Sequence, residues 1–497
     1  KKSHPKHDVS LSKIQCSQVK CKMDSISTQS LLAMTSTEND TVTAGSLEKI
    51  NHEENLKILT VTYNVGAQLP SLDDVGSLFS SVVTGDIKDL DIVAVGFQEI
   101  QATPINWLVD AFYGESWADG LLFYLEKQDF VRVKYNRLLT MSLSLFVKRR
   151  HASSLRQVRI SQIKTGFGGF WGNKGGVSIR LRLYGYTFCF VSCHLAPHDN
   201  MLRARLDDFI TISDGIMFDV SGQRHIIDHD YVFWLGDLNF RLDSTLTTSE
   251  IVNKLHIKDL QYLLEKDELT LALMSSPSLL SGYQECPINF PPTYKFISGT
   301  SNYDETRRPA WTDRVLYRTG LRDGGRKIPS VTCHEYQSLQ GMLTSDHRPV
   351  TCQFSAKVKC TSLSLGHVSF HDTTKWETGQ SAQVYYVFTD VQYSETDWIG
   401  IYKNNFGCLE KYLSFVYALP PKVGESVGCI EYPEELIPSP GLYQLVYFGD
   451  EGKSVYGISD PFEITGGRVS LTWQSITVGF GILVVGLANL KLGSWKE

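Results

Sequence analysis

The chain of 497 residues lacks the features that would place it in several common functional classes. It has no basic excess: the net charge is -6 and the isoelectric point is near 6.1, which argues against a dedicated nucleic-acid binder. Its ten cysteines have no regular spacing and favour reduced intracellular thiols over a disulfide scaffold. Strands and helices do not alternate strictly, which disfavours a Rossmann unit. The length and the 42% hydrophobic content instead favour two folded domains plus tails.

The sequence divides first at a change of composition near residue 55. Residues 1–54 are rich in Ser, Thr, Lys and Gln without a sustained apolar period, so we expect a disordered leader. The following 300 or so residues, 55–356, contain apolar strands and a hairpin whose turn lies at Tyr184-Gly185. Helices are expected over 201–218 and 251–273. Hairpins favour largely antiparallel sheets, so we predict two packed sheets with helices outside.

Polar residues follow one of these apolar strands directly. The run from Tyr231 to Trp234 leads through Gly236 to Asp237 and Asn239. Residues two apart on an extended chain point to the same side, so the carboxylate and the amide face one site. Such a pair can activate and orient a water. The alternative is an ordinary loop acid beside a capping asparagine.

Other predicted strands and loops supply further polar residues. They are Asn64, Glu99, His194, Asp313, Asp346 and His347. The hard oxygen atoms of Asn64 and Glu99 suit Mg²⁺. Histidines and Asn239 can donate to a bound phosphate, and Asp237 can deprotonate an attacking water. Each residue alone also has a structural explanation, such as a helix cap or a core histidine, but the set favours a hydrolytic phosphate site.

Two motifs resemble a known family. Trp-Leu-Gly-Asp-Leu-Asn-Phe-Arg-Leu at 234–242 and Pro-Ala-Trp-Thr-Asp-Arg-Val-Leu at 309–316 are similar to the signature motifs of the inositol polyphosphate 5-phosphatases. The resemblance covers about residues 55–356 and implies an α/β fold, a DNase I-like two-sheet sandwich flanked by helices. Phe240 stands where tyrosine is more usual, which leaves the acid and the amide of the motif unchanged.

The resemblance also implies roles for the site residues. Glu99, with Asn64, would hold Mg²⁺. Asp237 would activate the water, and Asn239 would orient it. The resemblance thus implies which residues bind the metal and which residue acts as the base.

The remaining catalytic positions concern the phosphate. The resemblance implies that His194 and His347 contact the scissile phosphate and that Asp346 completes the shell. Asp313 would pair with His347, and a carboxylate partner raises the pKa of an imidazole. A charged His347 suits an electrostatic role at the phosphate.

Substrate recognition is implied at two further places. The loop Trp-Gly-Asn-Lys-Gly-Gly at 171–176 lacks the spacing of a nucleotide P-loop. In the family this loop meets the 1-phosphate side of the lipid headgroup, which assigns Asn173 and Lys174 there. The residues that resemble the clamp for the 4-phosphate are Tyr294, Lys295 and Arg308. Cationic side chains suit a polyanion, and the alternative is a solvated basic rim.

The segment 357–466 is predicted to be a second, all-β domain. Alternating stretches at 368–371, 382–388, 398–402, 443–448 and 462–465 are typical of an immunoglobulin-like sandwich. The motifs at 397–402 and 441–448 resemble the SKICH domain, which implies localisation or partner binding. The partner is unknown.

A hydrophobic segment follows at 469–490, where 22 residues carry no charge. As a helix it would reach ~33 Å, enough to span a bilayer core of about 30 Å. We expect a tail anchor that keeps both domains in the cytosol, beside the endoplasmic reticulum or plasma membrane. Polar residues in its first third leave an interfacial or partner-bound helix as the alternative.

The sequence therefore predicts Mg²⁺-dependent removal of the 5-phosphate from phosphoinositides, namely the 4,5-bisphosphate and 3,4,5-trisphosphate lipids. Soluble inositol polyphosphates are a further substrate class. The expected partners are lipids at a membrane surface and no nucleic acid. A nuclease or sphingomyelinase of the same fold is one alternative, and a catalytically weak membrane-tethered adaptor is another.

Overall fold

The computed structural model describes residues 51–79, 87–101, 116–166, 171–275, 280–320, 330–361, 366–371, 376–421 and 425–466. Most of the predicted leader and the whole segment 469–490 lie outside these residues. The first strand begins at Asn51 and the last strand of the first domain ends at Thr361, and these two residues pair with each other. Both ends of the first domain therefore extend beyond the predicted boundaries at 55 and 356.

The first domain contains a set of strands and short helices. The strands are β1 (Asn51–Asn64), β2 (Ile92–Gln98), β3 (Phe130–Leu138), β4 (Met141–Lys148), β5 (Leu155–Thr165), β6 (Trp171–Leu183), β7 (Tyr186–His194), β8 (Tyr231–Asp237), β9 (Gln284–Glu285), β10 (Asp313–Thr319), β11 (Val331–Ser338) and β12 (Val350–Thr361). The helices are α1 (Leu72–Ser77), α2 (Ser116–Glu126), α3 (Leu202–Gly215), α4 (Thr248–His256), α5 (Leu260–Leu264) and α6 (Glu268–Met274).

The helical stretch predicted over 251–273 is divided into α4, α5 and α6. Each of the three has its own N-cap, in which the side chain of Thr247, Asp259 or Asp267 accepts a backbone N–H of the first turn. Such side chains satisfy the unpaired amide groups at a helix start, so each begins a new helix.

No helix within the described residues is long and apolar enough to cross a membrane.

The strands form two six-stranded sheets. Their orders are β11-β12-β1-β2-β4-β3 and β5-β6-β7-β8-β10-β9. Pairing is mostly antiparallel, as expected, but β1 runs parallel to β2 and β7 parallel to β8. The strands β2, β4 and β8 are buried at every position, because apolar clusters pack on both faces of each sheet.

Strand register brings the polar strand ends together. In the second sheet His194 lies opposite Asp237, and Asp237 lies opposite Asp313, so three predicted site residues form one row. In the first sheet Asn64, at the end of β1, lies opposite Gln98. Glu99 follows Gln98 directly. The same end of the sandwich therefore carries the candidate residues of both sheets.

The second domain is a β-sandwich. Its strands are β13 (His367–His371), β14 (Trp376–Glu377), β15 (Ala382–Thr389), β16 (Trp398–Lys403), β17 (Ser414–Tyr417), β18 (Val427–Tyr432), β19 (Gly441–Gly449), β20 (Ser454–Ile458) and β21 (Phe462–Thr465). One sheet has the order β13-β15-β18, and the other has the order β14-β21-β19-β16-β17 with β20 beside β19. Val384, Ile399 and Leu445 belong to the apolar core of this domain.

The cysteines differ from the prediction of reduced thiols at one place. Cys286 and Cys333 form a disulfide across a sequence separation of 47 residues, with Cα atoms 6.3 Å apart. The Sγ of Cys352 lies 3.5 Å from that of Cys286. The disulfide joins β11 of the first sheet to the residue that follows β9 of the second sheet. The cysteine spacing in the sequence does not report this proximity.

Candidate active site

The strand ends surround a cavity of about 240 Å³. Its lining combines acids with cationic and imidazole side chains. The lining residues are Glu99, Lys174, His194, Pro197, His198, Asp199, Asp237, Asn239, Arg241, Tyr294, Arg307, Asp346 and His347. Most of the catalytic residues predicted from the sequence line this cavity, and Asn64 and Asp313 lie directly behind it, bonded to Asp237 and His347.

Asp237 lies at the centre of the site and is 1% exposed. Its Oδ2 accepts a hydrogen bond from Nδ2 of Asn64 at 2.9 Å and lies 3.2 Å from Nε2 of His194. Its Oδ1 accepts the backbone N–H of Asn239 at 3.1 Å. Donors from β1, β7 and the turn after β8 therefore converge on one carboxylate.

Electrostatics keep this carboxylate ionised. Burial alone would raise the pKa of Asp237, but the charge and hydrogen bond of His194, followed by the charges of His347 and Lys174, hold that pKa below its usual range. Burial and the adjacent ammonium group of Lys174 lower the pKa of His194. We therefore assign Asp237 as the charged member of its pair with His194.

Asn239 is fixed by a residue that the sequence reasoning did not single out. The backbone of Asn239 is left-handed, with φ of 56°, a conformation that asparagine tolerates better than most residues. Its Nδ2 donates to the carbonyl oxygen of Leu195 at 3.1 Å, and its Oδ1 accepts from Nη2 of Arg241 at 2.6 Å. Arg241 lies two residues further along the motif and also lines the cavity.

His347 is paired with Asp313, as the resemblance implies. Nδ1 of His347 lies 2.9 Å from Oδ2 of Asp313, which also accepts the hydroxyl groups of Thr293 and Thr312. Burial lowers the pKa of His347, but the charge of Asp313 outweighs burial and raises that pKa to about 9. Burial raises the pKa of Asp313. With Nδ1 on Asp313, Nε2 of His347 is the nitrogen that can donate to a bound anion.

The oxygen donors near Asp237 fit a hard divalent cation. Glu99 has a left-handed backbone with φ of 55°, and its side chain is 48% exposed and lines the cavity. The side-chain Oδ1 of Asn64 accepts the N–H of Gly66 at 3.0 Å, so the amide is held in one orientation. A carboxylate at the cavity wall, with an amide oxygen directly behind the wall, matches the hard oxygen ligands that Mg²⁺ prefers.

Lys174 and Asn173 are separated by the structure. The Nζ of Lys174 contacts Nε2 of His194, and Lys174 lines the cavity. Asn173 is exposed and is not among the lining residues. Both belong to β6, where successive side chains point to opposite faces, so the two residues cannot serve one subsite as a pair.

Comparisons with known proteins agree with this geometry. Residues 61–353 match the profile of the Endonuclease/Exonuclease/phosphatase family 2, and residues 368–464 match the SKICH domain. Inositol polyphosphate 5-phosphatase K of Mus musculus is 31% identical over 429 residues, which cover 82% of this chain and 90% of that protein. The chain belongs to the inositol polyphosphate 5-phosphatase family.

Two further relatives place the chain within this 5-phosphatase family. Phosphatidylinositol 4,5-bisphosphate 5-phosphatase A of Mus musculus is 35% identical over 450 residues, 88% of this chain. The chain spans only 44% of the length of that relative. A solved 5-phosphatase domain of SPsynaptojanin, in complex with inositol (1,4)-bisphosphate and calcium ion, is 31% identical with a TM-score of 0.54 and covers 63% of this chain and 87% of its own. The family and the fold predicted from the sequence are confirmed.

The cavity of this 5-phosphatase-family chain corrects one predicted substrate residue. Arg308 was expected to contact the 4-phosphate, but its Nε binds the carboxylate of Asp199 at 3.0 Å and its Nη1 donates to the carbonyl oxygens of Asp243 and Leu246. Its neighbour Arg307 is exposed and lines the cavity. The sequence marks a basic pair but does not report which of the two faces the cavity.

The other two predicted clamp residues lie near the same side of the cavity. Tyr294 lines it and packs against the ring of His347, with centroids 4.6 Å apart. The Nζ of Lys295 lies 3.8 Å from carboxylate oxygens of both Asp304 and Asp346. Asp346 is itself a lining residue, so Lys295 stands just behind the rim.

Proposed function

We propose that this chain is a Mg²⁺-dependent phosphatase that removes the 5-phosphate from phosphoinositides. The observation that carries the proposal is the buried carboxylate of Asp237, held by Asn64, His194 and Asn239 at the wall of a cavity that also presents cationic side chains. An ionised acceptor beside cations suits attack of water on a bound phosphate. The relatives are named for 5-phosphatase activity, which supports the same reaction class.

In the proposed mechanism Asp237 orients the attacking water. A carboxylate whose pKa is held below its usual range is a weak base, so its main contribution is to accept a hydrogen bond from the water and align it with the phosphorus. The carboxylate of Asp237 takes the proton of this water as the bond from the water oxygen to phosphorus forms and the bond from phosphorus to the inositol oxygen breaks. The backbone N–H of Asn239 and Nδ2 of Asn64 keep the carboxylate in place throughout.

The phosphate is stabilised from the other side of the cavity. His347 is charged because of Asp313, and Nε2 of its ring can donate to a phosphate oxygen. The Nζ of Lys174 and the guanidinium of Arg241 add positive charge to the same cavity. Fixed donors and charges that meet developing negative charge are the largest contribution to catalysis in many enzymes.

Glu99 and Asn64 are the residues that would hold Mg²⁺. When bound there, the cation would supply Lewis-acid stabilisation of phosphate charge and lower the pKa of a coordinated water. The side chain of Glu99 faces the cavity from the end of β2, and Asn64 bonds directly to Asp237. Binding of the cation and orientation of the water would thus be coupled through one amide group.

We further propose that the substrates are the 4,5-bisphosphate and 3,4,5-trisphosphate lipids and soluble inositol polyphosphates. Recognition of the 4-phosphate is assigned to Tyr294, Lys295 and Arg307, because Tyr294 and Arg307 line the cavity and Lys295 stands beside it. Lys174, which meets His194, is assigned to the scissile phosphate rather than to the 1-phosphate.

A substrate panel tests this function. Purified protein without residues 469–490 would be assayed for phosphate release from phosphoinositides and inositol phosphates with Mg²⁺, and for nicking of plasmid DNA. Release from 5-phosphorylated compounds that Asp237→Ala abolishes is expected. Asp207→Asn, at an exposed position of α3, is the matched control and should keep full activity. Nicking without phosphate release would contradict the proposal and favour a nuclease.

We propose that the enzyme acts at the cytoplasmic face of the endoplasmic reticulum or plasma membrane. This location remains a prediction from the uncharged segment 469–490, which lies outside the described residues. Membrane fractionation with alkali extraction tests it. Release of the full chain into the supernatant would contradict a tail anchor.

A further inference from the structure

One edge of each catalytic sheet lies on the same side of the sandwich. β3 is the last strand of the first sheet and β5 is the first strand of the second. The two edges are neighbours, since Nδ2 of Asn136 on β3 donates to the carbonyl oxygen of Ser161 on β5 at 3.1 Å. An edge strand presents unpaired N–H and C=O groups, and proteins commonly cover such edges.

The SKICH domain covers the edge of β3 with a short backbone pairing. The N–H of Arg132 donates to the carbonyl oxygen of Gly407 at 2.7 Å, and the N–H of Leu409 donates to the carbonyl oxygen of Arg132 at 3.0 Å. Next to this pairing, Lys134 forms an ion pair with Glu410 at 2.7 Å. Residues 407–409 therefore extend the first sheet by a short strand-like segment.

Gly407 fits this edge closely. A Cβ added at Gly407 would lie 2.6 Å from the Cβ of Glu126, at the end of α2. This is far below an ordinary contact, and a Cβ is not the movable end of a side chain. A larger residue at 407 would push the SKICH domain away from the catalytic domain.

The same domain covers the edge of β5. The N–H of Val158 donates to the carbonyl oxygen of Lys453 at 2.8 Å, and the N–H of Gln157 donates to Oγ of Ser454 at 2.9 Å. Nη2 of Arg159 donates to both carboxylate oxygens of Asp450, each at 3.0 Å. The second sheet is therefore covered by the start of β20 and the turn before it.

Arg156 joins carbonyl groups of the two domains. Its guanidinium donates to the carbonyl oxygens of Ser153 in the catalytic domain and of Gly366 and Val455 in the SKICH domain. Arg156 is 8% exposed, so these bonds replace its contact with water. The buried apolar cluster of the catalytic sandwich also continues into Tyr402, Phe406 and Leu409 without a break.

We infer that the SKICH domain is the covering element of the catalytic domain and that the two unfold as one cooperative unit rather than as a module on a tether. Backbone pairing at two edges, a buried arginine and a continuous apolar cluster are features of a permanent interface. The segments 407–410 and 450–455 are then closed to other proteins. A protein partner of this domain must bind elsewhere on it.

A charge-swap experiment with hydrogen exchange tests the inference without using enzyme activity. Arg159→Glu and Asp450→Arg should each raise the exchange rate of the Val158 amide, on the order of tenfold, and the double variant should restore much of the protection. Swapping Arg203 and Asp207, an exposed pair on α3, is the matched control and should change nothing at Val158.

A second variant tests the other edge. Gly407→Val should raise the exchange rate of the Arg132 amide and separate the single thermal transition into two, while amides of the buried strand β8 keep their protection. Retained β8 protection distinguishes loss of docking from failure to fold. Unchanged exchange at both Val158 and Arg132, or two separate transitions in the unmodified protein, would overturn the inference. Neither outcome bears on whether the chain is a phosphatase.

Discussion

Replacing Asp313 with asparagine removes the charge that keeps His347 protonated. The carboxylate lies 2.9 Å from Nδ1 of the ring. Against burial, it is the largest of the influences, ahead of Asp237 and Asp346, that raise the pKa of His347 from 6.5 to about 9. That rise corresponds to roughly 3 kcal/mol in favour of the charged imidazole. In Asp313→Asn burial is opposed mainly by the smaller effects of Asp237 and Asp346, so the pKa of His347 should fall toward 6.5 or below.

The predicted result is a shift of the pH profile. A histidine whose pKa is raised in the folded protein is charged below that value, so the unmodified enzyme should lose activity as pH rises through about 9. In Asp313→Asn the loss should occur near pH 6.5. Because a pKa of 6.5 leaves roughly one tenth of His347 charged at pH 7.5, the rate there should be lower by about tenfold. The assay is the initial rate of phosphate release from a soluble inositol trisphosphate between pH 5.5 and 10.

The control for Asp313→Asn is a variant that removes a carboxylate far from His347 in the sequence. Asp207→Asn removes an exposed carboxylate on α3 and should leave the profile unchanged. Thermal unfolding at each pH shows that the variant is folded where the rates are compared. If the activity of Asp313→Asn still declines only near pH 9, the charge of His347 is not maintained by Asp313 and the reasoning fails.

Three further predictions follow from the cavity. Arg307→Ala should raise KM for 4-phosphorylated substrates about tenfold with unchanged thermal stability. Arg308→Ala should instead lower the free energy of unfolding by about 1–3 kcal/mol, because its guanidinium holds a carboxylate and two carbonyl groups. The opposite pattern would return recognition of the 4-phosphate to Arg308. Arg241→Lys should reduce kcat about tenfold with little change in KM, because lysine cannot reproduce the planar contact with Asn239, and an unchanged kcat would argue against positioning. Chelation should abolish phosphate release, and added Mg²⁺ should restore it. The Glu99→Gln variant should require more Mg²⁺ to reach its half-maximal rate. Activity that persists in the presence of chelator would refute a metal requirement.

The main features of the fold and the catalytic centre could be predicted because they depend on local patterns. Apolar strands such as 231–234 lead directly into polar residues, and the hairpin turn at Tyr184-Gly185 is a local signal. The strand ends then meet through register. His194 lies opposite Asp237 because β7 and β8 pair in parallel, and the sequence specified both strands but not their pairing.

The remaining features depend on which way adjacent side chains point or on contacts between segments that are distant in the sequence. The choice between Arg307 and Arg308 depends on which of two adjacent residues faces the cavity, and a basic pair in the sequence does not distinguish them. The disulfide between Cys286 and Cys333 joins segments whose proximity arises only in the fold. Covering of β5 by the SKICH domain involves side chains of Arg156 and Arg159 that look like ordinary surface residues in the sequence.

The central claim is that the cavity around Asp237 removes the 5-phosphate of an inositol polyphosphate. The most direct test is to identify the product formed from inositol 1,4,5-trisphosphate by anion-exchange separation against standards. We expect inositol 1,4-bisphosphate and inorganic phosphate in equal amounts, with no product from Asp237→Ala. Formation of the 4,5- or 1,5-bisphosphate instead, or equal turnover by Asp237→Ala, would contradict it.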